Sequence, residues 1–254
     1  DAAQDGLEDA YDRARHEALS DGLTGLGNHR AFQQELDRQV ARVREEPGSI
    51  ALLLVDLDDL KKTNETQGHT AGDDLLRATA RIILGSLRRS DRGFRIGGDE
   101  FAVLLSDYGP DEAAGIGRHI LAGALSGGSG TLGVAPFSLT IGVSAMPERA
   151  RDRKQLVHQA GAALYWGKRH GRTDVQLFDP ARHGIADDGR SLAELTAAVN
   201  RVAAERLLTP VYQPIHCLRT GRVLGYEGLV RPSADSGFSN ASALFIAAEA
   251  TEHT

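Results

Sequence analysis

Two glycines and two carboxylates stand side by side near the middle of this chain: Gly97, Gly98, Asp99 and Glu100. The apolar runs 94–96 and 101–105 on either side predict the strands of a hairpin, with the glycines in its turn. Glycine reaches positive φ at low cost and lets the backbone approach a phosphate closely. Acidic side chains beside such a turn repel a phosphate unless a divalent cation lies between them. The pattern therefore fits two interpretations, a solvated hairpin turn and a metal-assisted nucleotide site.

A further pair of carboxylates, Asp56 and Asp58, follows the strongest apolar strand pattern, 50–55. Side chains two positions apart on a strand share a face, so these carboxylates could converge with the hairpin pair if the strands are neighbours. Clustered carboxylates raise each other's proton affinity unless a cation neutralises them, and Mg²⁺ prefers such oxygen ligands. The alternative is that Asp58 or Asp59 caps the following turn, and we favour capping for these two residues.

Two basic residues, Lys168 and Arg172, lie four positions apart at the end of a predicted helix and should share one of its faces. Cations near a helix C-terminus are favourable in any case. Taken alone, the pair is better interpreted as solvated surface charge than as a phosphate site.

The elements that position these residues alternate along the chain as in an α/β or α+β domain. Helical patterns cover about 31–45, 73–87, 111–125 and 153–170, strand patterns cover 50–55, 137–144 and 175–178, and 126–133 reads as a Gly/Ser-rich loop. Periodicity alone does not select a sheet topology.

Four segments resemble, in order, the motifs of the GGDEF family of diguanylate cyclases. They are DGLTGLGNHRAF at 21–32, VDLDDLKKTNETQGHTAGD at 55–73, RIGGDEFAVLL at 95–105 and ALYWGKRHGR at 163–172. The resemblance covers about residues 20–180, with His29 where an arginine is usual. It implies a nucleotide-cyclase-like palm domain, in which helices flank a central, mostly antiparallel sheet.

The resemblance also implies a role for each matching residue. The metal ligands for Mg²⁺ or Mn²⁺ would be Asp56, the backbone carbonyl of Leu57, Asp99 and Glu100, the last two also acting in catalysis. The guanine would be read by Asn64 and Asp73, and the phosphates would be held by Lys168, Arg172 and Lys61. A carboxylate accepts from guanine N1–H and the exocyclic amine, and an asparagine both donates and accepts, so this pair would select guanine over adenine. The alternatives are a helix start at Asp73 and turn stabilisation by Asn64.

A regulatory motif is suggested by Arg88 and Asp91, which form an RxxD sequence with five residues between Asp91 and Gly97. This spacing resembles that of the family's product-inhibition site. Arginine holds a phosphate bidentately and stacks on guanine, while an aspartate accepts from the guanine edge. The alternative is an ion pair between Arg88 and Asp91 at a helix end.

The reaction implied is the condensation of two GTP molecules into cyclic di-GMP with release of two pyrophosphates. The resemblance implies a homodimer in which each subunit holds one GTP, with a sensor domain upstream in the parent protein. The rival hypothesis is a catalytically silent module that binds GTP or cyclic di-GMP and controls an adjoining EAL phosphodiesterase domain.

The last part of the chain resembles a different family. Residues 210–231, PVYQPIHCLRTGRVLGYEGLVR, are similar to the opening of an EAL phosphodiesterase domain, in which the residue matching Glu227 is a metal ligand. We therefore expect a signalling helix at 1–20, a GGDEF domain at 21–180, a linker and connecting helix at 181–208, and a truncated EAL segment at 209–254. So short a part of a β/α barrel is not expected to hydrolyse cyclic di-GMP.

Composition sets outer bounds on these hypotheses. The net charge of −6 over 254 residues argues against a nucleic-acid-binding surface, which normally shows a basic excess. The single cysteine, Cys217, excludes an internal disulfide and fits the reducing cytoplasm. No run of apolar residues in the sequence approaches membrane-spanning length, although the parent protein could be membrane-anchored.

Overall fold

The computed structural model describes residues 18–127, 133–183, 192–217, 219–238 and 241–250. These residues belong to two compact units, which divide after Asp179. Most of the predicted helix over 1–20 lies outside the described residues, and so do parts of the predicted loop 126–133 and of the predicted linker and connecting helix over 181–208. The first unit contains all the residues expected to form a cyclase site.

A five-stranded sheet forms the centre of the first unit, with strand order β2-β3-β1-β4-β5. The strands are β1 (Ile50–Leu57), β2 (Arg92–Arg95), β3 (Glu100–Ser106), β4 (Leu139–Met146) and β5 (Val175–Leu177). The β1–β3, β1–β4 and β2–β3 pairs are antiparallel, and the β4–β5 pair is parallel. The sheet is thus mixed and mostly antiparallel, as the sequence resemblance implied.

Both faces of the sheet are covered, which explains why its central strands read as nearly continuous apolar runs. Residues of β1 alternate between two buried clusters, with Leu53 and Val55 in one and Ile50 and Leu52 in the other. The first cluster includes buried residues of α3 (His69–Ser86) and α4 (Pro110–Leu125). The second includes buried residues of α1 (His29–Glu45) and α5 (Arg153–Arg169), so the unit has three layers.

The helices α1 and α5 begin at side-chain caps that the backbone requires. The Asn28 side chain accepts a hydrogen bond from the Ala31 N–H, and Asp152 accepts one from the Gln155 N–H. Both helices lie close to their predicted bounds. Among the helices of the described residues, none is both long and apolar enough to cross a membrane.

The predicted helix over 73–87 is wrong at its start. The helix α3 begins four residues earlier, at His69, and it is preceded by a helix that was not predicted, α2 (Leu60–Gln67). Gly68 joins the two helices at a φ of 86°. This backbone conformation favours glycine, which is why the chain turns there without breaking either helix. As a result, Asn64 lies on α2 and Asp73 lies early in α3.

Glycines bring α5 close to the sheet. A Cβ on Gly142 of β4 would lie 2.1 Å from the carbonyl oxygen of Ala160, and one on Gly167 would lie 2.9 Å from Cγ2 of Thr140. Larger residues at these positions would push helix and strand apart. The close approach places the C-terminal end of α5, with Lys168, beside the end of β1.

The second unit has its own small core. Its elements are α6 (Pro180–His183), α7 (Leu192–Ala204), β6 (Leu208–His216), β7 (Val223–Pro232), a 3₁₀ turn (Ala234–Ser236) and α8 (Ala241–Ala250). Buried side chains of α7, α8 and Phe238 form an apolar cluster, and β6 pairs antiparallel with β7. The sheet structure described in this unit consists of that hairpin, so a partial EAL barrel remains a prediction.

Candidate active site

The C-terminal end of β1 lies beside the start of β3, where the acidic residues of two sequence motifs meet. Asp56 is the cross-strand partner of Glu100. The Leu57 N–H donates a hydrogen bond to the Asp99 carbonyl oxygen at 3.0 Å. The structure therefore brings together the four residues expected to hold a metal.

This end of the sheet carries excess negative charge. Burial, together with the charges of Asp99 and Glu100, raises the pKa of Asp56 to about 7, although the hydrogen bond and charge of Lys168 oppose the shift. A buried carboxylate with two acidic neighbours is costly to ionise without a cation beside it. The site thus favours binding of an additional positive charge.

The donor chemistry suits a hard divalent cation. Carboxylate and carbonyl oxygens are the ligands that Mg²⁺ and Mn²⁺ accept, and Asp56, Leu57, Asp99 and Glu100 supply them. Within the described residues, no three His, Cys, Asp or Glu side chains already stand arranged around one metal position. The residues therefore fit the metal chemically, while the Asp56 carboxylate is paired with the ammonium group of Lys168.

Lys168 lies between two aspartates. Its ammonium group forms an ion pair with Asp56 and another with Asp58, at 3.0 Å from Asp58 Oδ1. The Asp58 side chain is only 1% exposed, compared with 17% for Asp56. The preferred capping role for Asp58 is wrong, because its carboxylate accepts hydrogen bonds from Ser138 and Thr140 inside the unit.

Arg172 lies beyond the end of α5, which corrects the expectation that it shares a helix face with Lys168. The helix ends at Arg169, and Arg172 adopts a left-handed φ of 58°. Its Nη1 lies 2.6 Å from Oδ1 of Asp59. Asp59, also left-handed at a φ of 57°, precedes α2 but makes no capping hydrogen bond through its side chain. The turn after β1 and the turn after α5 are thus joined by an ion pair.

An open pocket of about 590 Å³ adjoins the hairpin turn. The lining residues combine polar side chains from α2 and α3 with the turn itself, and include Lys61, Asn64, Asp73, Arg95, Gly98 and Asp99. The predicted guanine-reading pair and the predicted catalytic Asp99 therefore line one cavity. Its volume is in the range of small-molecule sites. Lys61 is largely exposed, 3.9 Å from Glu65.

Asn64 has an unsatisfied group. Its Oδ1 is buried and has no hydrogen-bond partner among the described residues. Gly72 supports it closely, because a Cβ there would lie 2.0 Å from this oxygen. A buried amide oxygen without a partner is costly, so this atom is a ready acceptor for a ligand donor. Asp73 is half exposed and lies 3.9 Å from Arg77.

The hairpin glycines act differently from the expectation. The turn is present, but neither Gly97 nor Gly98 belongs to the glycines with positive φ. A Cβ on Gly97 would lie 2.5 Å from Oε2 of Glu100, whereas one on Gly98 would have open space around it. The requirement at Gly97 is therefore room for the Glu100 carboxylate.

Arg95 and Asp21 are site residues that sequence reasoning did not single out. Arg95 donates from Nη2 to the Gly98 carbonyl oxygen at 2.7 Å, and its Nη1 lies 3.3 Å from Asp21 Oδ1. Burial opposes ionisation of Asp21, but hydrogen bonds from Thr24 and the charge of Arg95 hold its pKa below the ordinary value. Both residues lie within quoted motifs, yet they are too far apart in sequence for their pairing to be predicted.

The RxxD segment forms a hydrogen-bonded turn. Asp91 is buried, and its carboxylate accepts from the backbone N–H groups of Arg88 at 2.8 Å and Ser106 at 3.3 Å. The Arg88 guanidinium lies over the Tyr108 ring, 4.5 Å from its centroid. Asp91 thus stabilises the turn that presents Arg88.

Glu227 lies in the second unit, on β7 opposite Gln213. The residue is exposed. Its role as the remnant of an EAL metal site stays a prediction.

The fold and this arrangement of residues agree with the family comparison. The chain belongs to the GGDEF family: the model described as "Diguanylate cyclase, GGDEF domain" matches residues 18–174. This range contains strands β1 to β4 and ends one residue before β5.

Relatives include proteins named for opposite activities. The diguanylate cyclase DgcS of Shewanella oneidensis is 37% identical over 175 residues, covering 66% of this chain and 55% of that protein. The cyclic di-GMP phosphodiesterase NbdA of Pseudomonas aeruginosa is 31% identical over 230 residues, covering 89% of this chain and 28% of that protein. The chain thus spans between about a quarter and just over half of the length of these curated relatives.

Solved GGDEF domains share the fold. The GGDEF domain of TpbB from Pseudomonas aeruginosa matches with a TM-score of 0.57 and 38% identity, over 63% of this chain and 94% of that chain. The coiled coil and GGDEF domain of DgcB from Caulobacter crescentus, in complex with c-di-GMP, matches with a TM-score of 0.63 and 29% identity, over 69% and 93%.

Proposed function

We propose that this chain condenses two GTP molecules into cyclic di-GMP and releases two pyrophosphates. The observation that carries the proposal is the joining of an acidic strand end, with Asp56 and Glu100 paired across β1 and β3, to a pocket lined by Asn64 and Asp73. A guanine-reading pair beside clustered carboxylates suits a metal-assisted reaction of a guanine nucleotide.

Guanine binding would use the two polar residues of the pocket. Asp73 would accept from the N1–H and the exocyclic amine of the base. The unsatisfied Oδ1 of Asn64 would accept, and its amide NH₂ would donate to a ring or carbonyl acceptor. Adenine lacks this pattern of donors and would leave the buried Asn64 oxygen unpaired.

The phosphates would extend toward the end of α5. Lys168 and Arg172 supply cations there, and the more exposed Lys61 lies on the pocket wall. Asp56, Leu57, Asp99 and Glu100 would hold Mg²⁺ or Mn²⁺, which neutralises triphosphate charge and lowers the pKa of the attacking hydroxyl. Lys168 must then exchange part of its pairing with Asp56 for a phosphate oxygen.

The reaction forms two phosphodiester bonds. The 3′-hydroxyl of each nucleotide attacks the α-phosphorus of the other, and the bond from that phosphorus to the bridging oxygen breaks as pyrophosphate leaves. Asp99 or Glu100 takes the hydroxyl proton. We propose that each subunit of a homodimer holds one nucleotide, so that the second nucleotide arrives on the other subunit.

Regulation by product is a separate part of the proposal. The exposed Arg88, stacked on Tyr108, would bind a phosphate or guanine of cyclic di-GMP, and Asp91 would keep the turn in place. An upstream sensor domain in the parent protein and a cytoplasmic location, where GTP is available, complete the proposed setting.

A second candidate function is a nucleotide-binding module that controls a phosphodiesterase. It is favoured by the match to NbdA, because a match over 89% of this chain must extend beyond Asp179 into the second unit. The presence of both Asp99 and Glu100 favours the cyclase.

The deciding experiment incubates the purified chain with GTP and Mg²⁺ and measures cyclic di-GMP by chromatography. An Asp99→Ala, Glu100→Ala variant is compared with Glu45→Ala, Glu46→Ala, which removes two adjacent exposed carboxylates far from the site in sequence. Cyclic di-GMP formed by the parent and by the control variant, but not by the Asp99→Ala, Glu100→Ala variant, supports the cyclase. Absence of product from a parent that binds GTP and dimerises would favour the regulatory module.

A further inference from the structure

Asp58 is the most deeply buried charged side chain near the site, at 1% exposure. Its two oxygens accept from the hydroxyls of Ser138 at 2.9 Å and Thr140 at 2.9 Å, and from the Thr173 N–H at 3.3 Å. These donors come from β4, from the segment before it and from the turn after α5. Asp58 is therefore fixed from three directions.

These donors are neutral, whereas the negative charge of a buried carboxylate also requires a positive charge beside it. Among the contacts of the described residues, Lys168 supplies the positive charge to Asp58, with Nζ at 3.0 Å from Oδ1. Removing one partner of a buried ion pair leaves an uncompensated charge, which destabilises a protein strongly. The two residues should therefore behave as one unit.

The two aspartates that hold Lys168 differ in their surroundings. Asp56 lies opposite Glu100 at the acidic strand end, where the proposed metal would engage it. The Asp58 carboxylate instead accepts hydrogen bonds from Ser138 and Thr140, and it is not among the proposed metal ligands. If Asp56 binds the proposed metal, Asp58 remains to hold the ammonium group of Lys168.

We propose that Asp58 is the positioning residue for Lys168: it anchors the ammonium group beside the end of β1, so that Lys168 meets the nucleotide phosphates in a fixed place. This inference rests on the proposed function, because it takes the phosphates of GTP as the partner of Lys168. It assigns to Asp58 a role that acts entirely through another residue.

The first test is thermal unfolding without nucleotide or metal, for Asp58→Asn, Lys168→Met and the double variant. Lys168→Met alone should lower the melting temperature by about 10 °C, since several buried-pair interactions are lost in a domain of this size. Adding Asp58→Asn should restore part of that loss, because the uncompensated charge disappears. Asp107→Asn, which makes the same substitution at the more exposed ion pair with Arg42, is the matched control.

The second test is calorimetric binding of the α,β-methylene analogue of GTP with Mg²⁺, which cannot undergo the bond cleavage of the reaction. Asp58→Asn should weaken binding about tenfold in the parent, as expected for a displaced charge-assisted contact. In the Lys168→Met background the same change should weaken binding less than twofold. A merely structural role would give equal losses in both backgrounds.

The outcomes separate the two proposals. Additive effects in the binding cycle, with a parent that binds the analogue, overturn the positioning role and leave the proposed function standing. A folded parent that binds no guanine nucleotide refutes the proposed function, and the role toward phosphates with it, even if the unfolding cycle shows coupling. Non-additive effects in both cycles support the inference.

Discussion

Gly72→Ala should damage nucleotide binding while leaving the fold nearly intact. A Cβ at this position would lie 2.0 Å from Asn64 Oδ1 and 3.1 Å from Leu60 Cδ1. Atoms do not approach this closely, so the Asn64 amide must rotate away or α2 must shift. The guanine-reading acceptor then leaves its place in the pocket.

The stability and binding effects have different magnitudes. Alanine in place of a helical glycine contributes about 1 kcal/mol, and a displaced rotamer costs about 0.5–1.5 kcal/mol, so unfolding free energy should change by less than about 1 kcal/mol. A lost hydrogen bond that leaves a buried group unpaired costs about 1–3 kcal/mol, which weakens binding by roughly 5-fold to 150-fold.

The assay is calorimetry with the α,β-methylene GTP analogue, together with urea unfolding. Gly115→Ala is the control, because a Cβ there meets only the end of the Arg118 side chain at 3.8 Å. It should stabilise the protein slightly and bind like the parent. A folded Gly72→Ala variant with parental affinity would show that Asn64 does not read the base.

Three further predictions follow from contacts of the site. Burial raises the pKa of Asp56 from 3.8 to about 7, so the native state favours the protonated carboxyl. The contribution of Asp56 to the unfolding free energy is therefore largest below about pH 4 and is lost as the pH rises toward 7. Asp56→Asn should flatten this decline, as measured by urea unfolding with chelator present. An equal pH slope in both proteins would contradict the buried acidic cluster. Arg95→Lys should lower the rate at saturating GTP about tenfold, because lysine keeps the charge but cannot reproduce the hydrogen bond from the guanidinium to the Gly98 carbonyl oxygen. An unchanged rate would refute the role of Arg95 in positioning the hairpin turn. Arg172→Ala should change unfolding free energy by less than about 1 kcal/mol, since its pair with Asp59 is exposed, yet weaken analogue binding several-fold; parental affinity would remove Arg172 from the phosphate site.

Local patterns were sufficient for most elements of the first unit. The strands β1 and β4 are apolar because both of their faces are buried, and α1 and α5 carry recognisable caps at Asn28 and Asp152. The helix α2 and the first residues of α3 were missed because Leu60 is the only buried residue of α2, so no apolar periodicity marks that helix, and because the chain turns at the single residue Gly68. Sequence periodicity is a weak guide where a helix is mostly polar and where one backbone angle sets the direction of the chain.

The site itself was only partly accessible to such reasoning. The residues of the motifs were identified, but their partners were not, since the contact from Asp58 to Lys168 and that from Asp21 to Arg95 join distant parts of the chain. The expected positive φ at Gly97 was wrong for a related reason. The need for glycine comes from the neighbouring Glu100 side chain rather than from the turn.

The sequence by itself determined the family, the order of most helices and strands of the first unit, and which acidic, amide and basic side chains are available for chemistry. It could do so because periodicity and motif spacing are local properties of the chain. Tertiary structure alone decided that Lys168 lies between Asp56 and Asp58, and that Asn64 holds an unsatisfied oxygen against Gly72. Those facts depend on how closely α5 approaches the sheet and α2 approaches α3, because burial and charge pairing exist only after the layers have packed.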